Sequence, residues 1–438
     1  MNAPRKQVCD EQSVSRRAFA KEAFVLGCGV SGSLTLNDSH AAETLDGTSW
    51  TQFRGSLGNG LARSATKPPT EWSAGGGYRW RTPLEGEGWS SPVIDRGNAY
   101  VTAALKTAKD SFRLVVHKLD FESGRLLKTF QVFRQGTDRT FPIHSKNSHA
   151  SPTLIIDNDR LFVHFGYQGT ACITTSGEIV WENRDLVFPP VHGNGGSPIL
   201  FDRQLIFTCD GADEATVASL DRDSGEMLWR TPRPVDAERK FSFATPAAFQ
   251  IDGQTQIIAP GSDCVVGLSP SDGRLLWTFE SPGFSVVPKP MMSNGLLVYC
   301  TGFMRPSLIA LKPGTAKNDW VASEQWRVER NVPKTPTPIV DEDGIVMISD
   351  EGILTRVNVE DGSINYRERL GGKFSASPIK VNDVIYLTNE EGTTTVVQAG
   401  SAFQTLAENR IGERTFATPA FAEDSLVLRS EKAMYRIG

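Results

Sequence analysis

His144, His149 and His192 lie in one stretch of chain with Asn147 and Asn194. Imidazole nitrogens can ligate a transition metal. Imidazoles and carboxamides together can also hydrogen-bond a polar ligand. Lys334, Lys373 and Arg414 follow farther along and bring positive charge suited to an anion; Trp89 and Phe243, with Phe241 and Phe416, bring flat apolar faces. A competing reading is structural, because histidine and asparagine also satisfy buried backbone groups in crowded interiors. A metal site on His149 and His192 needs a carboxylate or a further imidazole, and the sequence places none. Asp210 and Asp350 read as solvated turn-formers, and His117 and His164 sit inside apolar runs as structural residues. The glycine cluster Gly193 to Gly196 suggests a phosphate cradle, but it lacks the lysine and the spacing of GxxxxGK[ST]. No GxSxG nucleophile motif is present. The set Trp89, His144, Asn147, His149, His192, Asn194, Phe243, Lys334, Lys373 and Arg414 is therefore a candidate binding group with no recognisable catalytic set, and whether the protein is an enzyme stays open.

What brings these residues together is a repeat. Ser91-Pro92, Ser151-Pro152, Ser197-Pro198, Thr245-Pro246, Lys289-Pro290, Thr337-Pro338, Ser377-Pro378 and Thr418-Pro419 recur at intervals of 40 to 60 residues, each opening an apolar run. Such a period belongs to a propeller blade or to a helical repeat. Runs such as RLFVHFG, QLIFTCD and VIYLTNE are short, β-branched and aromatic, which selects strands. Glycines at Gly124, Gly177, Gly225, Gly273 and Gly362 mark tight turns before a fourth strand. That strand carries Trp181, Trp229, Trp277, Trp326 or Tyr366, with Lys128 in the first repeat. The last repeat ends without its fourth strand, and Gly77 to Pro83 reads as that strand. The expectation is an all-β, eight-bladed β-propeller of four-stranded antiparallel blades, closed by the N-terminal strand. The segments before each inner strand then ring one channel mouth, and the candidate group lies on them. Gly193 to Gly196 becomes one such link, small because eight of them converge.

The 438-residue chain carries a net charge of −5, so neither nucleic acid nor an anionic membrane is an expected partner. No stretch has the ~18 apolar residues of a membrane helix. Arg16-Arg17 precede a weakly apolar run, and Ser39-His40-Ala41 has the small residues of a signal-peptidase site. Residues 1–41 read as a twin-arginine signal peptide, 42–76 as a leader and 77–438 as the propeller, which places the mature protein in the periplasm or otherwise outside the cytoplasm. There, the pairs Cys172–Cys209 and Cys264–Cys300, alike in topology, can form disulfides; buried packing thiols are the alternative. A closed ring exposes no edge that demands a partner, so a monomer is expected.

The repeat containing VASLDRDSGEMLW resembles the PQQ-like β-propeller repeat, and Trp50-Thr51-Gln52-Phe53-Arg54-Gly55, with Gly58-Asn59-Gly60, resembles the W-x-Q-F-R-G leader of exported bacterial proteins of that kind. The resemblance implies the fold. It leaves activity open, since quinoprotein alcohol dehydrogenases share the repeat with the propeller lipoprotein of the outer-membrane barrel-assembly machine. The dehydrogenases hold pyrroloquinoline quinone (PQQ) with calcium, using adjacent cysteines, a tryptophan under the ring and Glu/Asn/Asp ligands. Here the cysteines are widely separated and no CxxCH haem site exists. The expected role is binding or scaffolding for a protein or small molecule. The alternatives are a quinone- or metal-dependent oxidoreductase and a carbohydrate or polyanion binder.

Overall fold

The structure is a computed structural model that describes residues 47–137 and 141–438; the twin-arginine stretch and its cleavage site lie outside the described residues. Eight sheets, each built on four antiparallel strands, follow one another along the chain; neighbouring strands are consecutive in sequence except where leader strands join the seventh and eighth sheets. Blade 1 runs Val93–Asp95, Asn98–Ala108, Ser111–Asp120, Leu126–Gln135, and blade 3 runs Ile199–Phe201, Gln204–Asp210, Ala215–Asp221, Met227–Pro232. The eighth sheet is completed from the other end of the propeller. Trp80–Pro83 pairs antiparallel with Ala433–Ile437, setting Trp80 opposite Arg436 and Arg81 opposite Tyr435. The closure expected from the truncated last repeat is thus present.

The Ser/Thr-Pro phrase has a reason beyond small size. At six of the eight junctions the hydroxyl two residues before an inner strand accepts a hydrogen bond from the backbone N–H at the same place in the preceding blade. Ser91 N donates to Thr153 Oγ1 (2.9 Å), Thr153 N to Ser197 Oγ (2.9 Å) and Ser197 N to Thr245 Oγ1 (2.9 Å). Past Lys289 the relay resumes: Lys289 N donates to Thr337 Oγ1 (3.0 Å), Thr337 N to Ser377 Oγ (2.9 Å) and Ser377 N to Thr418 Oγ1 (3.0 Å). These six buried N–H groups have no ladder partner, so a hydroxyl from the next blade satisfies each of them. The relay also corrects blade 2: Thr153, not Ser151, occupies the ring position, and the inner strand starts two residues late, at Ile155.

The turn glycines answer to the outer-strand aromatics. A Cβ on Gly124, Gly225, Gly273 or Gly362 would collide with the ring of Trp80, Trp181, Trp229 or Trp326 from the preceding blade. Each indole Nε1 donates to a carbonyl of that same turn, of Phe121, Arg222, Pro270 and Val359 respectively, at 2.8–3.0 Å. In blade 1 the work is divided: Lys128 Nζ donates to Ser176 O (3.0 Å), and Phe130 covers Gly177.

Two expectations fail. Cys172, Cys209, Cys264 and Cys300 are free thiols, all buried, so neither disulfide forms. Cys264 and Cys300 belong to different core clusters, and Cys172 and Cys209 share one as apolar packing groups. Burial pushes the Cys172 thiol up to about 11, away from reactive thiolate. Asp210 is not solvated either. It is buried in a bidentate pair with Arg233 (3.2 and 2.8 Å), because the strand end that carries it lies under the next blade.

His117 and His164 are structural, as expected. His117 bridges Thr129 Oγ1 (2.9 Å) and Glu85 O (2.8 Å), and His164 bonds Thr170 Oγ1 (2.8 Å) while stacked on Phe207. Burial lowers His164 from 6.5 to about 3. The unfolded chain therefore takes up this proton near pH 6.5, whereas the folded chain resists it until about pH 3. Stability is present above pH 6.5 and falls as pH drops below it, by about 1.4 kcal/mol per unit for this one group. Urea unfolding at pH 7.5 and 5.5 is expected to show this loss reduced by about that amount in His164→Phe; equal pH dependence in both proteins would refute it.

Candidate functional site

Side chains alternate along each segment entering an inner strand, so every second residue faces the channel. The ring position contributes Ser91, Thr153, Ser197, Thr245, Thr337, Ser377 and Thr418, a floor of hydroxyls. Two residues earlier come Trp89, Ser151, Gly195, Phe243, Val287, Thr335, Ser375 and Phe416, which form the layer above it. The wall rises above both layers, and the space enclosed is a cavity of about 860 Å³.

The other end of the channel is closed by the leader. Trp50 pairs with Ile94, Thr51 O accepts from Ile156 N, and Leu61–Ala62 adds a parallel strand inside Ile379–Val381. Between these anchors Arg54 enters the channel fully buried. Its Nη1 donates to Thr337 O (3.0 Å) and Pro378 O (3.2 Å), and its Nη2 to Asn59 O (2.9 Å) and Pro338 O (2.8 Å). Phe53 reaches through and lines the cavity. The channel is therefore a cup with the leader at its base.

One side of the cup is an arc of rings meeting edge to face. His144 to His192, His192 to Phe241, Phe241 to Phe284 and Phe284 to Phe303 have centroids 5.3–5.7 Å apart. Arg239 lies over Phe284 (4.5 Å) and Lys334 over Phe303 (5.7 Å). Asn147 holds the arc in place: its Nδ2 donates to His192 O (2.9 Å), and with His144 N on the same oxygen it fixes His192 at φ 67°. Burial and the neighbouring His144 ring hold His192 below its ordinary value. Across the cup, Lys146 pairs with Glu390 (2.7 Å) and Lys334 with Glu351 (2.7 Å), while the exposed Lys373 has no ion-pair partner among the described residues. Asp350, read from sequence as solvated, is buried and accepts from Lys334 N (2.7 Å) and Thr335 Oγ1 (2.9 Å).

Of the candidate group, Trp89, His144, Asn147, His192, Phe243, Lys334 and Lys373 lie on the cavity wall. Three do not. His149 stacks on Phe112 (4.3 Å), outside the cup, because the late start of blade 2 gives the wall position to Ser151. Asn194 falls on the alternate face and donates to Phe165 O. Arg414 stands over Phe416, outside the lining. Sequence reasoning missed Phe53, Lys146, Arg239, Phe284, Phe303 and Glu351. Phe303, Asp350 and Glu351 come from loops between the second and third strands, which carry no repeat signature. For Phe53 a signal existed, since Trp50 to Gly55 is a motif standing outside the repeat.

A family model described as outer membrane protein assembly factor BamB matches residues 115–283 and 213–435. The chain belongs to this family of PQQ-like propellers. No curated protein matches the sequence. BamB from Moraxella catarrhalis has a similar fold, at 11% identity over 82% of this chain and 99% of that one, TM-score 0.56. A europium-containing methanol dehydrogenase is similar at 10% identity over 91% and 92%, TM-score 0.62. Quinohemoprotein alcohol dehydrogenase from Comamonas testosteroni is similar at 11% identity over 92% and 82%, TM-score 0.53. At these identities the likeness is one of fold.

The dehydrogenase branch of the fold implies calcium and PQQ, and the cup of this family member does not fit them. No three His, Cys, Asp or Glu side chains converge on a cation site among the described residues. The Asp350 carboxylate is spent on the Lys334–Thr335 backbone and hydroxyl. Trp89 meets Phe416 edge to face (4.6 Å) rather than lying flat across the floor. The four described cysteines are in blade cores, away from the cup. No helix among the described residues is long and apolar enough to cross a membrane.

Proposed function

We propose that the protein is a binding propeller that works outside the cytoplasm and holds an organic ligand, or a side-chain-bearing segment of a partner protein, in its cup. The observation that carries this reading is the leader-floored cavity: hydroxyls below, aromatic rings on one wall and cations at the rim. Such a lining suits a ligand with an apolar body and a negatively charged or hydroxylated end. The Arg16-Arg17 stretch and the family description support the location; the latter also supports protein interaction over chemistry.

The test uses two exposed rim residues. Lys373→Glu reverses the free rim charge, and Phe303→Asp removes a ring that is 46% exposed. Neither disturbs the core, so unfolding should stay within about 0.5 kcal/mol of the parent. The full chain is screened by calorimetry against a glycan panel, aromatic carboxylates, acidic peptides, and PQQ with calcium. The cup ligand is expected to lose at least about tenfold in affinity in each variant, equal to 1.4 kcal/mol or more. Binding that ignores both substitutions would move the site elsewhere, and saturable dye-linked dehydrogenase activity with PQQ and calcium would replace the binding reading by the redox one.

A further inference from the structure

Seven blades place a hydroxyl at the ring position, and the fifth places Lys289. Its backbone keeps the relay through Thr337, but its side chain takes no part in the cup lining. The ammonium instead turns toward the leader and ends against Gly58, where any Cβ would collide with Nζ. Lys289 is only 6% exposed, and its Nζ has no hydrogen-bond or ion-pair partner among the described residues.

The neighbouring cation is Arg54. Its two Nη groups are satisfied by carbonyls, yet its Nε is buried without an acceptor, and no carboxylate pairs with it. Ser56 Oγ, in the same loop, is also buried without a partner. Gly58 and Gly60, at φ 64° and 81°, let both cation ends lie against bare backbone. Elsewhere buried cations sit beside carboxylates: Arg233 with Asp210, Arg356 and Lys380 with Asp341. Arg429 lacks one, but it is a single charge that donates to Ser90 and Thr102. The plug differs in holding two cations together. Desolvation, and then the charge of Arg54, push Lys289 down to about 7.

We propose that the leader plug is a binding site for a small inorganic anion of the size of chloride, held by Lys289 Nζ and Arg54 Nε over the Gly58-Asn59-Gly60 cradle. Lys289 Nζ and Arg54 Nε can only donate, and Ser56 Oγ can donate or accept. A halide accepts from all three, whereas a water brings two donors of its own and finds only Ser56 Oγ unsatisfied to receive them. A monoanion also offsets the desolvation and mutual repulsion of two cations, which are costly when uncompensated. The anion would lock the leader into the channel and so hold the floor of the cup in place. This site lies behind the floor, so it stands or falls independently of what the cup binds.

Two measurements on the full chain test it. Crystals soaked in sodium bromide are expected to show an anomalous peak between Lys289 and Arg54. Thermal unfolding in sodium chloride, compared with sodium gluconate at equal ionic strength, is expected to raise Tm by about 2–4 °C. Lys289→Met fills the same volume without charge and should abolish the chloride response. If that variant fails to fold, the bromide peak in the parent decides. Equal Tm in chloride and gluconate together with no peak at Lys289 would overturn the proposal. A chloride response that survives intact in Lys289→Met would overturn it as well.

Discussion

Arg54→Met is expected to lower the unfolding free energy by about 3–5 kcal/mol, although Arg54 belongs to no blade. The loss comes from the partners left behind. Thr337 O, Pro338 O and Pro378 O are carbonyls at the entry to the inner strands of blades 6 and 7, and the guanidinium is their shared donor. An orphaned buried acceptor costs roughly 1–3 kcal/mol. Part of this is returned because the variant no longer buries a charge, which burial already pushes down to about 9. The leader should also loosen. Trypsin is expected to cut after the exposed Arg63 much faster than in the parent. Urea midpoints and the rate of leader cleavage check both effects, and a variant within about 0.5 kcal/mol of the parent would mean the plug is passive.

Trp80→Ala should cost a similar amount, about 3–5 kcal/mol, but with a different signature. The indole fills the space over Gly124, donates to Phe121 O and packs edge to face on the Phe121 ring (6.3 Å). Trp229 makes the equivalent contact between blades 3 and 4. Both pairs of blades are joined by the chain, but the strand carrying Trp80 also closes the ring, because it completes blade 8 by pairing with Ala433–Ile437 from the other end of the propeller. Loss of Trp80 should therefore open the ring and make unfolding less cooperative, with a lower denaturant slope, while Trp229→Ala loses stability at an unchanged slope. Identical slopes in the two variants would show that the seam is no weaker than any other blade junction.

The contrast between those two tryptophans marks how far the sequence could be read. Blade count, strand order and seam position were legible because each blade must repeat the same local solutions. A hydroxyl recurs two residues before the inner strand in seven blades, a glycine where the neighbouring indole lies, and a fourth strand is borrowed from the other end of the propeller. These demands write themselves into the sequence at a period. The wall of the cup was only partly legible. His149 and Asn194 were misplaced because a two-residue delay in blade 2 and a parity error are invisible when only residue types are counted. Phe303 and Glu351 went unread, and Asp350 was misread as a solvated turn-former, because loops between the second and third strands follow no pattern.

The sequence by itself determined the propeller, its closure at Trp80 and the ring of segments from which any mouth would be built. Periodic packing requirements are local, and local requirements leave a signature. The tertiary structure alone decided that the channel is a cup, that Arg54 and Lys289 share its base, and that the four described cysteines stay apart from it. Those outcomes rest on contacts between a non-repeating leader and blades hundreds of residues away, where no spacing rule links the partners.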